Sequence, residues 1–283
     1  MVKIVDEINR RIEQNRIAIL IRFSHVSYSN NPFRAARGKS FDELAREIFH
    51  EERLRERFYL FEKYCLPSLD GQVDRDFCVI LRCSTLLPDR WKQRLIEIAG
   101  ERDYIYINFL SPDESIYKSE IDVLDSLLTE AKGPVITSRI DDDDALASGY
   151  VTSVKKYLHE RFKGFAVSYS SGFYVAEKDS VENEEGKSYK IPSVRHVNNS
   201  CGLAFVGGRY MLDRHINNLK VNHLFIDKKF PTIIDSRKPM FMMSAHENQD
   251  TNRKTNKAFE SCEWLSPHDI SDEIKINFPR VVF

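Results

Sequence analysis

The chain has 283 residues, 42% of them hydrophobic and 30% charged, which is typical of a globular protein with a full core and excludes a disordered chain. Its 42 basic and 43 acidic side chains nearly cancel, so nucleic acid is not an expected partner, because nucleic-acid binders usually carry a basic excess. No apolar run approaches the roughly 20 residues that a membrane-spanning helix needs, and the N-terminus shows no secretory signal. Together with five cysteines that form no CxxC pair, these features predict a cytoplasmic protein.

The first half of the chain alternates short apolar runs with segments of helical periodicity. A capping box at Ser40 and Glu43 predicts where the first helix begins. Strands are expected over 17–23, 76–82, 104–108 and 134–139, and helices over 40–57, 58–66, 88–99 and 116–131. This alternation predicts an α/β fold, with a mostly parallel central sheet, helices on both faces, and the ligand at the carboxyl ends of the strands.

The second half has a different pattern. We expect one more helix over 145–162 and a hairpin over 165–176 that turns at Ser170, Ser171 and Gly172. A polar stretch over 178–190 is expected to be an exposed loop, and short strands follow over 194–207. The second half is therefore predicted to be mixed β structure.

Four consecutive aspartates, Asp141 to Asp144, follow the last predicted strand of the first half. Adjacent carboxylates repel one another, so their ionised form needs a counter-charge. A divalent cation such as Mg²⁺ or Mn²⁺ would supply it, because these ions accept carboxylate oxygens and keep positions open for phosphate oxygens. The alternative is that one aspartate caps the following helix and another favours its dipole, which explains two of the four.

The segment Arg-x-Asp-x-Asp-Asp-Ala-Leu over 139–146, after a strand and before a predicted helix, resembles the DXD motif of nucleotide-sugar glycosyltransferases with the GT-A fold. Upstream lie Arg57-x-x-x-Phe61-Glu62, Leu-Pro-Ser-Leu over 66–69, Gln72 and Asp76-Phe77. With these segments, the chain resembles a family of bacterial rhamnosyltransferases over about 17–248. The resemblance implies a single GT-A-like domain over 1–283, with a nucleotide-sugar-binding half over 17–146, an acceptor-side half over 147–250 and a C-terminal tail over 251–283.

The resemblance also implies a function. The chain would transfer a sugar from a nucleoside diphosphate sugar to an acceptor hydroxyl with Mn²⁺ or Mg²⁺ as cofactor, in bacterial surface polysaccharide or glycoconjugate synthesis. The acceptor would be a saccharide or a lipid-linked saccharide. In the second case, basic residues such as Lys39 could place the protein at the inner face of the membrane, with no transmembrane segment.

On the metal side, the resemblance assigns Asp141 and Asp143 as the alternate carboxylates of the DXD pattern, and Asp142 with Asp144 offers the same spacing. Asp143 is the first choice for the cation. Asp144 would support or touch the donor sugar in catalysis. His246, late in the chain, would complete the metal or diphosphate site, because imidazole is both a good metal ligand and, when protonated, a good phosphate partner.

On the donor side, Arg22, Phe23 and Ser24 end the first strand, where such enzymes seat the nucleobase and ribose. Arg139 could pair with a phosphate or with the aspartates. Further contacts to the donor would come from Asp141 and Asp142.

The catalytic base is not marked by a motif. Many relatives have a Glu-Asp dipeptide after the DXD, and the second half of this chain has none. Among the available carboxylates we take Asp213 as the candidate, with Asp227 and Asp235 as alternatives. Arg57 and Glu62 are expected to form an internal ion pair.

Two other classes of protein could place aspartates at strand ends. One is a metal-dependent phosphoester hydrolase or nucleotidyltransferase, although the segment after the first strand lacks the glycine-rich phosphate loop expected of the latter. The other is a non-catalytic carbohydrate-binding module.

Overall fold

The computed structural model describes residues 16–28, 38–127, 133–180, 186–208, 214–246 and 257–283. The strands in chain order are β1 Ile17–Arg22, β2 Cys78–Ser84, β3 Ile105–Leu110, β4 Pro134–Asp141, β5 Ala145–Leu146, β6 Ala166–Tyr169, β7 Ser171–Asp179, β8 Lys187–Lys190, β9 Ser193–Arg195, β10 Ala204–Gly208, β11 Thr232–Asp235 and β12 Phe241–Ser244. The α-helices are α1 Phe41–Ile48, α2 Glu51–Leu60, α3 Leu66–Asp70, α4 Asp89–Gly100, α5 Ile116–Leu127, α6 Tyr150–Lys155 and α7 Asp272–Asn277. A π-helical turn over Phe61–Cys65 joins α2 to α3.

Within the described residues, the larger sheet has seven strands in the order β11-β6-β10-β4-β1-β2-β3. Strand β1 is parallel to both β2 and β4, and β2 is parallel to β3. Strand β10 runs antiparallel to β4 and β6. The carboxyl ends of β1, β2, β3 and β4 therefore meet at one edge, which confirms the predicted α/β class with a mostly parallel sheet.

Alternating side chains of the sheet pack into two layers. Ile17, Ile19 and Ile21 of β1 join the main core with α2, α3 and α4. Ala18 and Leu20 face the opposite side, where α5 and the segment over 216–230 pack. Helices or helical segments thus cover both faces, as the sequence predicts.

The smaller sheet has the order β5-β12-β7-β8, and β9 pairs with β7. It packs against the same main core as the larger sheet, because buried residues of β7 and β12 belong to that cluster. The C-terminal residues close this side: the Ser148 amide donates to the Asn277 carbonyl at 2.8 Å. The second half is mixed β structure, as expected.

Several predicted elements differ from those observed. The helix over 40–57 is two helices, α1 with the predicted capping box and α2. The helix over 58–66 does not stop at Pro67, because the π-helical turn opens the hydrogen-bond ladder just where an α-helix would need the N–H that proline lacks. Residues 128–131 of the fourth predicted helix lie outside the described part of the chain.

Three predictions in the second half are wrong. The helix over 145–162 is instead β5, the short α6 and a 3-10 turn over Glu160–Phe162, because β5 pairs with β12 and is drawn into the smaller sheet. The hairpin over 165–176 does not form, because β6 and β7 belong to different sheets. The exposed loop predicted over 178–190 is paired at both ends, where β7 meets β8, and its residues 181–185 lie outside the described part of the chain.

Among the helices of the described residues, none is both long enough and apolar enough to cross a membrane.

Candidate functional site

The acidic run lies at the carboxyl end of β4, on the edge where the parallel strands end. Asp141 is the last residue of β4 and is the register partner of Arg22 on β1. The Asp144 amide donates to the Asp141 carbonyl at 3.2 Å, so the chain turns sharply before β5 begins. The four aspartates therefore point in different directions and have different roles.

Asp142 points into the protein and has no exposed surface. Its carboxylate accepts two hydrogen bonds from Arg57 of α2, from Nε at 2.5 Å and from Nη2 at 2.7 Å. Burial opposes the charge on Arg57, but the charge of Asp142 and its hydrogen bonds outweigh burial and raise the pKa of Arg57. The pair is a bidentate ion pair that ties the turn over 141–144, the acidic turn, to α2. It leaves Asp142 no surface with which to bind a donor.

Asp144 is also fully buried. Its Oδ1 accepts a hydrogen bond from the Ser244 amide of β12 at 3.1 Å. This carboxylate therefore anchors the acidic turn to the smaller sheet. Since it has no exposed surface, Asp144 does not touch a donor sugar in this geometry and acts by positioning its neighbours.

The Leu-Pro-Ser-Leu segment and Gln72 hold the chain that follows the aspartates. Ser68 Oγ accepts a hydrogen bond from the Leu146 amide at 3.1 Å. The Gln72 side chain donates to the Ala147 carbonyl at 2.9 Å and accepts from the Val151 amide at 3.0 Å. These motif residues thus hold the backbone after the aspartates in place and do not line the site.

Asp143 remains partly exposed, at 15% of its side chain, as does Asp141 at 29%. Oδ2 of Asp143 lies 2.7 Å from Nε2 of His246, which follows β12. On the other side of the imidazole, Nδ1 lies 3.6 Å from Oε1 of Glu56 on α2. Asp143, His246 and Glu56 line a small cleft together with Arg53, Arg57 and Leu60. The structure therefore brings together Asp143 and His246, which the sequence analysis assigned to one site.

Arginines surround the same strand ends. Burial lowers the pKa of Arg22 to about 10; the carboxylate of Asp141 opposes this shift, and neighbouring arginines add to it. Arg139 Nη2 lies 3.7 Å from Asp141 Oδ1. Arg82, at the end of β2, is turned away to Glu120 at 2.5 Å. Arg22 and Arg139 thus flank Asp141 with positive charge at the carboxyl edge of the sheet.

The first residue after β1, Phe23, belongs to the hydrophobic core. Phe23 is fully buried and packs edge-on against Phe58 and Phe61, at ring-centroid distances of 4.8 and 5.4 Å. It continues the inward face of Ile17, Ile19 and Ile21, so it does not offer a surface to a nucleobase.

Ser24 and His25 are different from Phe23. Ser24 has a left-handed φ of 47°, and its buried Oγ makes no hydrogen bond. His25 is 2% exposed, and both of its ring nitrogens are without a partner. Burial, followed by the charges of Arg82 and Arg22, lowers the pKa of His25 to about 4. A neutral imidazole next to two arginines was not foreseen from the sequence; the polar Ser-His pair directly after a buried strand was the available signal.

The donor set suits a hard divalent cation only in part. Among the described residues, no group of three or more His, Cys, Asp or Glu side chains is arranged to hold a metal ion. Asp143 and His246 offer one oxygen and one nitrogen ligand, and Asp141 lies at the start of the same turn. Mg²⁺ and Mn²⁺ fit such a sparse set, because they are commonly held by one or two carboxylates and complete their shell with water and phosphate oxygens.

Asp213, the candidate for the catalytic base, lies outside the described residues. The predicted pair of Arg57 with Glu62 is wrong, because Glu62 pairs with Arg94 at 2.5 Å.

The two alternatives for the catalytic base, Asp227 and Asp235, already have partners. Asp227 accepts from Asn198 at 2.9 Å, and Asp235 is paired with Arg237.

These features define a mixed α/β protein whose candidate site lies at the carboxyl edge of a mostly parallel sheet. Residues 16–258 match the protein family described as "Putative rhamnosyl transferase". The match spans most of the chain, so the protein belongs to this family of glycosyltransferases, which confirms the resemblance seen in the sequence. A comparison with curated proteins found no match.

Solved structures that the chain matches include S. aureus TarS 1–349, with 12% identity over 81% of this chain and a TM-score of 0.43. A mannosyltransferase from Pyrobaculum calidifontis in complex with GDP-Man and Mn²⁺ has 18% identity, covers 54% of this chain and 34% of its own, and gives a TM-score of 0.29. A nucleoside-diphosphate-sugar pyrophosphorylase from Vibrio cholerae has 12% identity to this chain and a TM-score of 0.33. The match covers 82% of this chain and 93% of the pyrophosphorylase. The chain spans 60% of the TarS fragment.

Proposed function

We propose that this protein transfers a sugar from a nucleoside diphosphate sugar to an acceptor hydroxyl, with Mn²⁺ or Mg²⁺ as cofactor. The observation that carries the proposal is the contact between Asp143 and His246, a carboxylate and an imidazole 2.7 Å apart at the carboxyl end of β4. Membership of a glycosyltransferase family supports the same reaction class.

The charges around the acidic turn suit a diphosphate leaving group. Arg22 and Arg139 flank Asp141 and would bind phosphate oxygens, because a guanidinium donates two parallel hydrogen bonds to such an anion. Asp141, 29% exposed at its side chain, would contact the ribose or the cation. Ser24 and His25 offer unpaired buried polar atoms where the nucleoside would sit.

Asp143 and His246 are the residues that would hold the cation, through one carboxylate oxygen and one ring nitrogen. When bound, a divalent cation neutralises the negative charge that develops on the departing diphosphate. Asp142 and Asp144 act indirectly, because their buried contacts to Arg57 and Ser244 fix the turn that presents Asp143.

On the acceptor side, we propose a saccharide or a lipid-linked saccharide in surface polysaccharide or glycoconjugate synthesis. Asp213 stays the candidate for the general base. A lipid-linked acceptor would place the protein in the cytoplasm, in peripheral contact with the inner face of the membrane.

The first test is a thermal-shift screen of UDP, GDP, TDP and CDP with and without Mn²⁺. A ligand that binds the folded state raises the melting temperature by mass action, so the preferred nucleotide should give the largest shift. A separate turnover assay distinguishes the alternatives: product release from a nucleoside triphosphate or a simple phosphoester, with none from a nucleotide sugar, would contradict the proposal.

The second test is Asp143→Asn, assayed by release of nucleoside diphosphate from the nucleotide sugar that the screen selects. We expect activity to fall by about 100-fold or more, because a ligand of the charge-stabilising cation is lost. Asp122→Asn is the matched control, since Asp122 is exposed on α5, which packs on the face of the sheet opposite to α2. Full activity in Asp143→Asn would refute the assignment.

A further inference from the structure

Glu56 is a carboxylate near the candidate site that no motif indicated. It lies on α2, and its side chain is about one-third exposed, at 34%, into the cleft that Asp143 and His246 also line. Its Oε1 is 3.6 Å from His246 Nδ1, which is buried and makes no hydrogen bond. The imidazole thus lies between two carboxylates, Asp143 at one ring nitrogen and Glu56 at the other.

The two contacts of the ring differ in a way that separates their roles. The 2.7 Å between Asp143 Oδ2 and His246 Nε2 is a hydrogen-bond distance, so an oxygen and a nitrogen that could both hold a cation lie side by side. Nε2 can act as a ligand only when its lone pair is free, so the ring proton must then reside on Nδ1. A carboxylate facing Nδ1 is the usual partner for that proton at metal-binding histidines.

The position of Glu56 is fixed by its neighbour. Arg57, the next residue on α2, is held to the buried Asp142 by two hydrogen bonds. This ion pair sets the distance between α2 and the acidic turn, and therefore the distance between Glu56 and the histidine that contacts the turn. A modest rotation of the Glu56 side chain closes 3.6 Å to hydrogen-bond length.

We infer that Glu56 is a positioning residue that accepts the Nδ1–H of His246 and so presents Nε2, together with Asp143, to the cation. The inference depends on the proposed cation site but adds to it, because Glu56 acts through His246 and does not touch the metal. Replacing such a partner typically weakens metal affinity by about 10-fold to 100-fold.

The test is titration of the whole, metal-free protein with Mn²⁺ alone, with free Mn²⁺ measured by electron paramagnetic resonance. Glu56→Ala should weaken Mn²⁺ binding by about 10-fold to 100-fold, and Glu56→Gln, which keeps an acceptor oxygen, should weaken it less. Glu52→Ala is the matched control: it removes the same charge from an exposed position one turn earlier on α2. Thermal melts of all variants establish that they fold.

A double-mutant cycle separates positioning from general attraction. If Glu56 acts through His246, Glu56→Ala has no further effect on Mn²⁺ affinity in the His246→Ala background. Saturating Mn²⁺ should also restore the turnover of Glu56→Ala with the selected nucleotide sugar.

The outcomes are distinct. Equal Mn²⁺ affinity in wild type and Glu56→Ala, equal losses in Glu56→Ala and Glu52→Ala, or additive losses in the cycle would each overturn the role of Glu56 and leave the proposed transfer intact. Wild-type protein that binds a nucleoside diphosphate in the thermal-shift screen but no Mn²⁺ would overturn the cation site, and this inference with it.

Discussion

The buried ion pair between Arg57 and Asp142 predicts that replacing Arg57 lowers the stability of the fold more than replacing Asp142. Asp142 has no exposed surface, whereas the Arg57 side chain is 25% exposed. Arg57→Met therefore leaves a carboxylate without a partner and without access to water, whereas Asp142→Asn leaves a guanidinium that can still reach solvent. Breaking a buried pair by removing one partner costs roughly 3–5 kcal/mol.

The expected magnitudes follow from these exposures. Arg57→Met should lower the free energy of unfolding by about 3 kcal/mol, the lower end of that range, because the pair is partly open to water on the arginine side. Asp142→Asn should cost about 1–2 kcal/mol, since the amide keeps the shape and one acceptor oxygen. The double variant should cost less than Arg57→Met alone, because no buried charge is then left uncompensated.

Urea unfolding in the presence of EDTA measures these free energies without a contribution from bound cations. The control is Arg94→Met, which removes the exposed partner of Glu62 and should cost less than about 1 kcal/mol. The transition midpoints should shift at constant slope. A loss below 1 kcal/mol in Arg57→Met, or a larger loss in Asp142→Asn, would refute the argument from burial.

Two further predictions concern other parts of the fold. The pKa of His25 is lowered from 6.5 to about 4, so between these pH values the unfolded chain binds a proton that the folded protein does not. The free energy of unfolding of the wild type should therefore fall by up to about 3 kcal/mol as the pH drops from 6.5 to about 4. His25→Gln should flatten that dependence in urea titrations from pH 7 to pH 4, and an unchanged slope would contradict it. Gly172→Ala should destabilise by about 3 kcal/mol, because its Cβ would lie 2.4 Å from the Phe241 carbonyl oxygen, whereas Gly149→Ala meets nothing within 4 Å. Equal melting temperatures for these two variants would contradict the predicted clash.

The first half of the fold was predictable because its signals are local. The β-branched run at Ile17 and the capping box at Ser40 each fix an element from a few adjacent residues. The alternating apolar strands and amphipathic helices then specify a covered parallel sheet. Phe23 also fits this alternation, and its burial could have been read from the inward face of β1.

The second half was less predictable because its partners are distant in sequence. Ala145 and Leu146 look helical in isolation but pair with β12, nearly 100 residues later. Ser170 separates two strands that enter different sheets, which no local turn pattern reveals. Here tertiary pairing overrides local propensity.

The candidate site was predictable in composition and not in geometry. A run of aspartates after a strand predicts a candidate cation site, but it does not indicate which carboxylates stay exposed. That choice depends on Arg57, 85 residues away, and on Ser244, 100 residues away. Asp142 and Asp144 turn inward to meet these partners, and Asp143 is left for His246, whose distance along the chain again conceals the contact.

The anchoring of Asp144 to β12 has a consequence for engineering. The acidic turn belongs by sequence to the first half of the chain, but two groups that hold it belong to the second half. The Ser244 amide is in β12, an inner strand of the smaller sheet, and the His246 ring follows β12. A chimera that exchanges the second half for that of a relative must therefore bring an equivalent β12 with a histidine after it, or lose both of these contacts to the acidic turn.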